Sequence, residues 1–297
     1  MFSFALVITL AAVVSGVSAD CSRDFLKSAS AAYVAAQKAG SVSSLAALTA
    51  SSPNFIFLEN NKLASLKSST LAKPIKIDFS RSAHDTVECA TFTEIIAATD
   101  PHPYVIHTRM VFDSTSLQAT LIESVVTDEG DWLFNATGTL ALNSAETWDP
   151  IPKEKQDSRA VVKAAGDAYF DRFGNVSVSV PWGPPCVRVE GGLPARGDLK
   201  GDDCVMVWPS TIYVPYRRYV VDEELGVVDL FVGFPGLDRT QGQEPMPDSH
   251  FFRVEGGKIK YLHTASACVK GGCGLNGTTF GRRDAAKRGA VLAKLRV

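Results

Sequence analysis

The sequence predicts an α+β protein built twice, each half a helix followed by a curved, mostly antiparallel sheet. Three observations predict it. Two stretches carry apolar residues at helical spacing and share the signatures "AAY" and "DAY". Strand-like runs follow each helix in the same order, which is an α+β pattern. A basic residue, three apolar residues and an acid occur together in "TRMVFD" (Thr108 to Asp113) and again in "RRYVVD" (Arg217 to Asp222).

Along the chain, the first segment is "MFSFALVITLAAVVSGVSA", a short apolar run closing on Val17-Ser18-Ala19. Apolar residues followed by small ones are what the translocon and signal peptidase need, so residues 1–19 read as a signal peptide cut after Ala19; the alternative is an N-terminal anchor. No other stretch is long enough to span a membrane. The first half is placed at 20–145. It opens with "RDFLKSASAAYVAAQKAG", where Phe25, Ala29, Ala32, Tyr33 and Ala36 form the apolar face and Gly40 stops the helix. The strand piece "FIFLENN" (Phe55 to Asn61) follows, then the "TRMVFD" strand, a hairpin, and a last strand in "DEGDWLFNA" (Asp128 to Ala136). A polar linker with Pro150 and Pro152 occupies 146–157. The second half, 158–274, repeats the order. Its helix "SRAVVKAAGDAYFDRFG" buries Val161, Val162, Ala165, Tyr169 and Phe173 and ends at Gly174. Next come "CVRVEGG" (Cys186 to Gly192), "RRYVVD", a Gly- and Pro-rich loop "GFPGLDRTQGQEPMPDS", and the final strand in "VEGGKIKYLHT" (Val254 to Thr264). A basic tail fills 275–297.

The composition bounds the class. The chain has 297 residues, 45% hydrophobic and 21% charged, enough for one large or two ordinary cores. A net charge of −2 gives no overall footprint for nucleic acid. All six cysteines, Cys21, Cys89, Cys186, Cys204, Cys268 and Cys273, follow the proposed cut, and an even number in a secretory context points to disulfides. Six cysteines allow about fifteen pairings; the preferred set is Cys21–Cys89, Cys186–Cys204 and Cys268–Cys273. "CVKGGC" has no His partners nearby for zinc. Sequons at Asn135, Asn175 and Asn276 fit a secreted glycoprotein. A GxGxxG after a strand, a P-loop, HExxH and a nucleophile elbow are missing from residues 20–297, so no cofactor and no metal is expected.

The segments "DAYFDRFG", "VPWGPPCVRVEGG", "RRYVVDEELGVV", "PDSHFFRVEGGKIKYLHT" and the lead-in "WDPIPKEKQDSR" carry a resemblance. Each half resembles the NTF2-like or SnoaL-like fold, a cone in which a curved sheet wraps helices. The second half more specifically resembles a group of fungal secreted proteins with an uncharacterised domain. That group looks to include hetero-Diels–Alderases of tropolonic sesquiterpene biosynthesis. The resemblance implies two tandem cones and a cofactor-independent cyclase, dehydratase, isomerase or pericyclase of secondary metabolism. Its implied partner is an apolar small molecule, with homodimerisation an option. The rival reading is a non-enzymatic secreted binding protein for an apolar ligand or a host or wall component.

Strand alternation nominates side chains. In "GKIKYLHT", Lys258 and Lys260 should face water and Ile259, Tyr261 and His263 the cone interior. In "DWLFNA", Trp132 and Phe134 should point in and Asn135 out. The second half has the more polar inward set and is expected to hold the chemistry. Its catalytic candidates are His263, Tyr261, His250, Glu190 and Arg218; Tyr169, Trp182 and Asp222 are substrate-binding candidates. Histidine moves protons near neutral pH, Tyr or Arg steadies an oxyanion, and Trp182 offers a stacking face. Plainer readings stand beside these. Arg218 and Asp222 can simply pair with each other or with neighbours, Glu190 can brace the Gly191-Gly192 turn, and His250 can be a loop-edge residue. His263 can be a satisfied core histidine, Trp132 and Trp148 packing residues, and His107 beside Arg109 a vestigial pocket or an ordinary strand residue.

Overall fold

The structure, a computed structural model, describes residues 21–49, 52, 54–194, 204, 208–235, 244–270 and 273. The expected signal peptide, Asn276 and the expected tail fall outside the described residues, as do residues 236–243 of the Gly- and Pro-rich stretch, whose ends, 233–234 and 246–249, belong to strands rather than a loop.

Helix α1 (Arg23–Ala39) starts at Ser22, whose side chain accepts from the Phe25 N–H. It stops at Gly40, which is left-handed (φ 60°) and returns its N–H to the Ala36 and Gln37 carbonyls. A short α2 (Ala46–Thr49) follows, then β1 (Ile56–Glu59), β2 (Lys62–Leu63), β3 (Phe79–Asp85), β4 (Ala90–Ala97), β5 (Tyr104–Phe112) and β6 (Ala119–Thr127). Helix α3 (Ala136–Ala145) and an irregular strap, 146–157, lead to α4 (Arg159–Arg172). The second half continues with β7 (Trp182–Glu190), β8 (Leu193–Pro194), β9 (Arg218–Asp222), β10 (Val227–Phe234), β11 (Met246–Glu255) and β12 (Lys258–Ser266).

The two halves share one topology. The first sheet runs β2-β1-β6-β5-β4-β3 and the second β8-β7-β12-β11-β10-β9. In both, one parallel pair (β1 with β6, β7 with β12) joins otherwise antiparallel neighbours. Each parallel strand ends in a hairpin with two left-handed residues, Asn60-Asn61 in one half and Gly191-Gly192 in the other.

This matching corrects two sequence expectations. The counterpart of β9 is β3, so "RRYVVD" corresponds to residues 80–85, with Arg218 facing Phe231 as Arg81 faces Glu94. "TRMVFD" is the end of β5. Strands buried on both faces read as continuous apolar runs, so the pattern recurs without structural equivalence. Nor is "DWLFNA" a strand. The first sheet ends at Thr127, and residues 128–135 turn into α3. Asn135 is the N-cap of α3, half-buried, with Oδ1 accepting from the Gly138 N–H, not an outward strand residue. Val161 is also exposed; Gly166 and Phe170 complete the buried face of α4.

Three cores stack in layers. Leu26, Tyr33 and Ala36 of α1 pack on Ile95, Ile106 and Ile122 of the first sheet. Val162, Ala165 and Tyr169 of α4 pack on Val228, Phe252 and Leu262 of the second. Between the sheets lies a seam containing Phe92, Ile96, Val125, Val220, Phe231 and Phe251. The order is therefore helix, sheet, sheet, helix. The seam is clasped reciprocally. Arg23, first residue of α1, grips Asp222 at the end of β9 with two hydrogen bonds (2.8 and 2.9 Å). Arg159, first residue of α4, grips Asp85 at the end of β3 with two of 2.7 Å. Asp222 also accepts from the His84 N–H, and Asp85 from the Val221 N–H. The disulfides are Cys21–Cys89, Cys186–Cys204 and Cys268–Cys273. No helix among the described residues is long and apolar enough to cross a membrane.

Candidate functional site

Residues two apart on a strand share a face, and the core partners show which face meets α4. On β7, Cys186 lies in the α4-side core, so Arg188 and Glu190 point the same way. On β11, Phe252 sets the face for His250 and Asp248, and on β12 Leu262 does so for Thr264 and Ser266. Six polar residues thus converge beneath α4, where Tyr169 enters from above.

Asp248 is held by Ser266, whose hydroxyl donates to Oδ1 at 2.6 Å; its Oδ2 lies 3.2 Å from His250 Nδ1 but outside hydrogen-bonding geometry, so Nδ1 has no hydrogen-bond partner among the described residues. Both residues are buried. Thr264, across the strand pair from His250, buries a hydroxyl that meets no partner among the described residues. Glu190 takes Arg188 Nη1 on one oxygen (2.8 Å) and Trp132 Nε1 on the other (3.0 Å). Trp132 comes from the turn after the first sheet. That turn lies so close to the hairpin that a Cβ on Gly191 would sit 2.4 Å from the Trp132 carbonyl. The Tyr169 ring is ringed by His250 (5.1 Å), Trp208 (5.1 Å), Phe252 (5.3 Å) and Trp182 (6.0 Å). Burial pushes its phenol well above the usual value, with Arg188 pulling the other way, so the hydroxyl keeps its proton.

The matching face of the first sheet is built differently. Register places Phe57, Ile106, Thr108 and Val126 where the second half has Arg188, Asp248, His250 and Ser266. Tyr33, Glu59 and Ser124 are kept as counterparts of Tyr169, Glu190 and Thr264. There the hydroxyls close on each other: Tyr33 meets Thr108 at 2.6 Å and Thr108 meets Ser124 at 2.8 Å.

Four of the sequence candidates, Tyr169, Trp182, Glu190 and His250, come together on this face. Four do not. Tyr261 and His263 point into the seam, because a β-bulge skips Lys260: Val254 pairs with Ile259 but Arg253 with Tyr261. One extra residue reverses every side chain beyond it. His263 there lies between Glu94 (3.0 Å) and Glu146 (2.7 Å). Burial opposes its charge, yet the two carboxylates raise it to about 9. Burial likewise works against Glu94, but His263, His107 and Arg81 hold it well below the usual range. Tyr261 stacks on Trp148 of the strap. Arg218 pairs with Glu123 of the first sheet and Asp222 with Arg23, so both belong to the seam. His107 bonds Ser249 across it at 2.8 Å. The residues that sequence reasoning missed, Arg188, Asp248, Thr264 and Ser266, were signalled by two-residue spacing: "RVE" puts Arg188 beside Glu190, and "DSH" puts Asp248 beside His250. Trp208 had no such signal. Asn175 is exposed in the turn after α4. Among the described residues no cluster of His, Cys, Asp and Glu is arranged to hold a metal ion.

Residues 155–266, which include β7, β9 to β12 and the whole polar face, match a family described as a domain of unknown function, DUF8021. No curated protein matches the chain. No solved structure matches it either.

Proposed function

We propose that the chain is a secreted, cofactor-independent enzyme of the cyclase, dehydratase or isomerase type, built as two tandem NTF2-like cones with its site in the second. The supporting observation is the Asp248–His250 pair, steadied by Ser266 and facing the Tyr169 ring, at positions where the first half has Ile106 and Thr108. Asp248 stands beside His250 Nδ1, and a small rotation of the imidazole would close a hydrogen bond that orients Nε2 to take or return a proton. The Tyr169 hydroxyl, kept protonated, donates to an oxygen that gains charge. The apolar surround of Trp182, Trp208 and Phe252 suits a small apolar substrate with a polar end.

The finer form of this reading is a hetero-Diels–Alderase. His250 takes the enol proton of a hydroxymethyl tropolone while the leaving hydroxyl is protonated and departs as water, giving a quinone methide. The heterodiene then closes on a terpene alkene, forming one C–O and one C–C bond to a dihydropyran. The second step needs proximity rather than a nucleophile.

The test is incubation with a quinone-methide precursor and a humulene-type alkene. A gain in rate or stereoselectivity over heat-killed protein is expected, with a loss of at least roughly 100-fold in His250→Gln. No gain sinks the cycloaddition. Ligand retention without turnover of cyclisable or dehydratable analogues would favour the secreted binding protein instead.

A further inference from the structure

Every other arginine among the described residues has a carboxylate partner, including the two nearest the site: Arg188 holds Glu190, and Arg217 holds Asp167 and Asp171. Arg172 has none. Its Nη1 is shielded from solvent and meets no acceptor among the described residues. Arg172 is the last residue of α4, one turn beyond Tyr169, and its guanidinium lies 5.6 Å from the centre of the Trp208 ring. Trp208 in turn touches Tyr169 and Phe173. A cation at a helix C-terminus is favoured by the helix dipole, and the indole face adds to that. Neither supplies a lone pair to Nη1, and a charged donor buried without an acceptor is costly. The cost disappears when an anion docks.

We infer that Arg172 anchors a carboxylate on the ligand of this site, whose apolar part then lies along Trp208 toward Tyr169 and His250. The substrate class is thus an apolar carboxylic acid. One planar guanidinium matches one planar, singly charged oxyanion, whereas a phosphate dianion would be left half-compensated. The inference rests on the proposed location of the site, but not on any particular reaction there.

Calorimetric titration of the full chain with 2-naphthoate and with neutral 2-naphthamide separates the two. The acid is expected to bind roughly 10-fold more tightly than the amide, as a charge-assisted pair provides. Arg172→Gln should erase that preference while leaving amide affinity unchanged, and Arg172→Lys should restore part of it. Should Arg172→Gln not fold, the preference in the intact chain should shrink as salt is added. Absence of naphthoate binding, equal affinities, a preference that survives Arg172→Gln, or one insensitive to salt overturns the inference. Binding says nothing of turnover, so this failure is distinguishable from failure of the acid–base reading, which His250→Gln tests by rate alone.

Discussion

His263 shows how one side chain can hold a seam together and still be misread. It is fully buried with a carboxylate on each ring nitrogen, so His263→Gln removes the cation between Glu94 and Glu146 and leaves Arg81 as the remaining cation at Glu94. Breaking such a buried pair is expected to destabilise the fold by about 3–5 kcal/mol, read by denaturant melts at pH 7. The pH dependence has a definite sign. Its folded value of about 9 lies above the usual 6.5, so its contribution is complete below pH 6.5 and is lost as the pH rises through 9. His84 does the opposite. Burial, with Arg23 and Lys27 adding to it against Asp222, lowers it to about 4. Its contribution is present above pH 6.5 and is lost as the pH falls through 4. The second half has Val221 at the matching place, so His84→Val should flatten stability between pH 6.5 and 4 while leaving the alkaline limb intact. A melt series in which both limbs persist in that variant would refute the assignment. The chemistry of these residues was legible from their type, but their facing was not, since it depends on where strands pair.

At the scale of elements, the helices were readable because a 3.6-residue apolar period and a terminal glycine are local signals. Both helices form where "AAY" and "DAY" stand. The sheet faces were readable only as far as pairing is regular. The bulge at Lys260 arises from a register shift against β11 and β7, which no single strand encodes. Deleting Lys260 should therefore turn the bulge into a regular ladder with Tyr261 and His263 still in the seam, visible as a sharp melting transition that survives the deletion. The β7–β8 hairpin makes a second prediction. Gly192 has φ 96°, and an added Cβ would lie 1.9 Å from the Asn135 carbonyl oxygen. Gly192→Ala is expected to cost more than about 2 kcal/mol and to dislodge Trp132 from Glu190, which a tryptophan fluorescence shift would report. An unshifted spectrum with unchanged stability counts against that packing.

At the scale of the molecule, the repeat was legible but its register was not: helix and hairpin signatures aligned correctly, whereas the five-residue strand pattern matched β9 to the wrong partner. The reciprocal clasps were invisible in sequence because they join residues 199 and 74 positions apart. They predict one unfolding unit. Asp85→Asn and Asp222→Asn should each destabilise the chain while keeping a single transition, and the double variant should let the two halves melt separately in calorimetry. Cys21–Cys89 closes a 68-residue separation, and replacing both by Ala should remove up to about 4 kcal/mol.

The Arg23–Asp222 clasp also sets an order of events during synthesis. When the first sheet leaves the ribosome, the strand that will neutralise Arg23 and cover Phe92, Ile96 and Val125 has not been made. Until β9 to β12 arrive, the first half carries an exposed apolar face and an unmatched charge, and that interval is when the nascent chain is most open to aggregation.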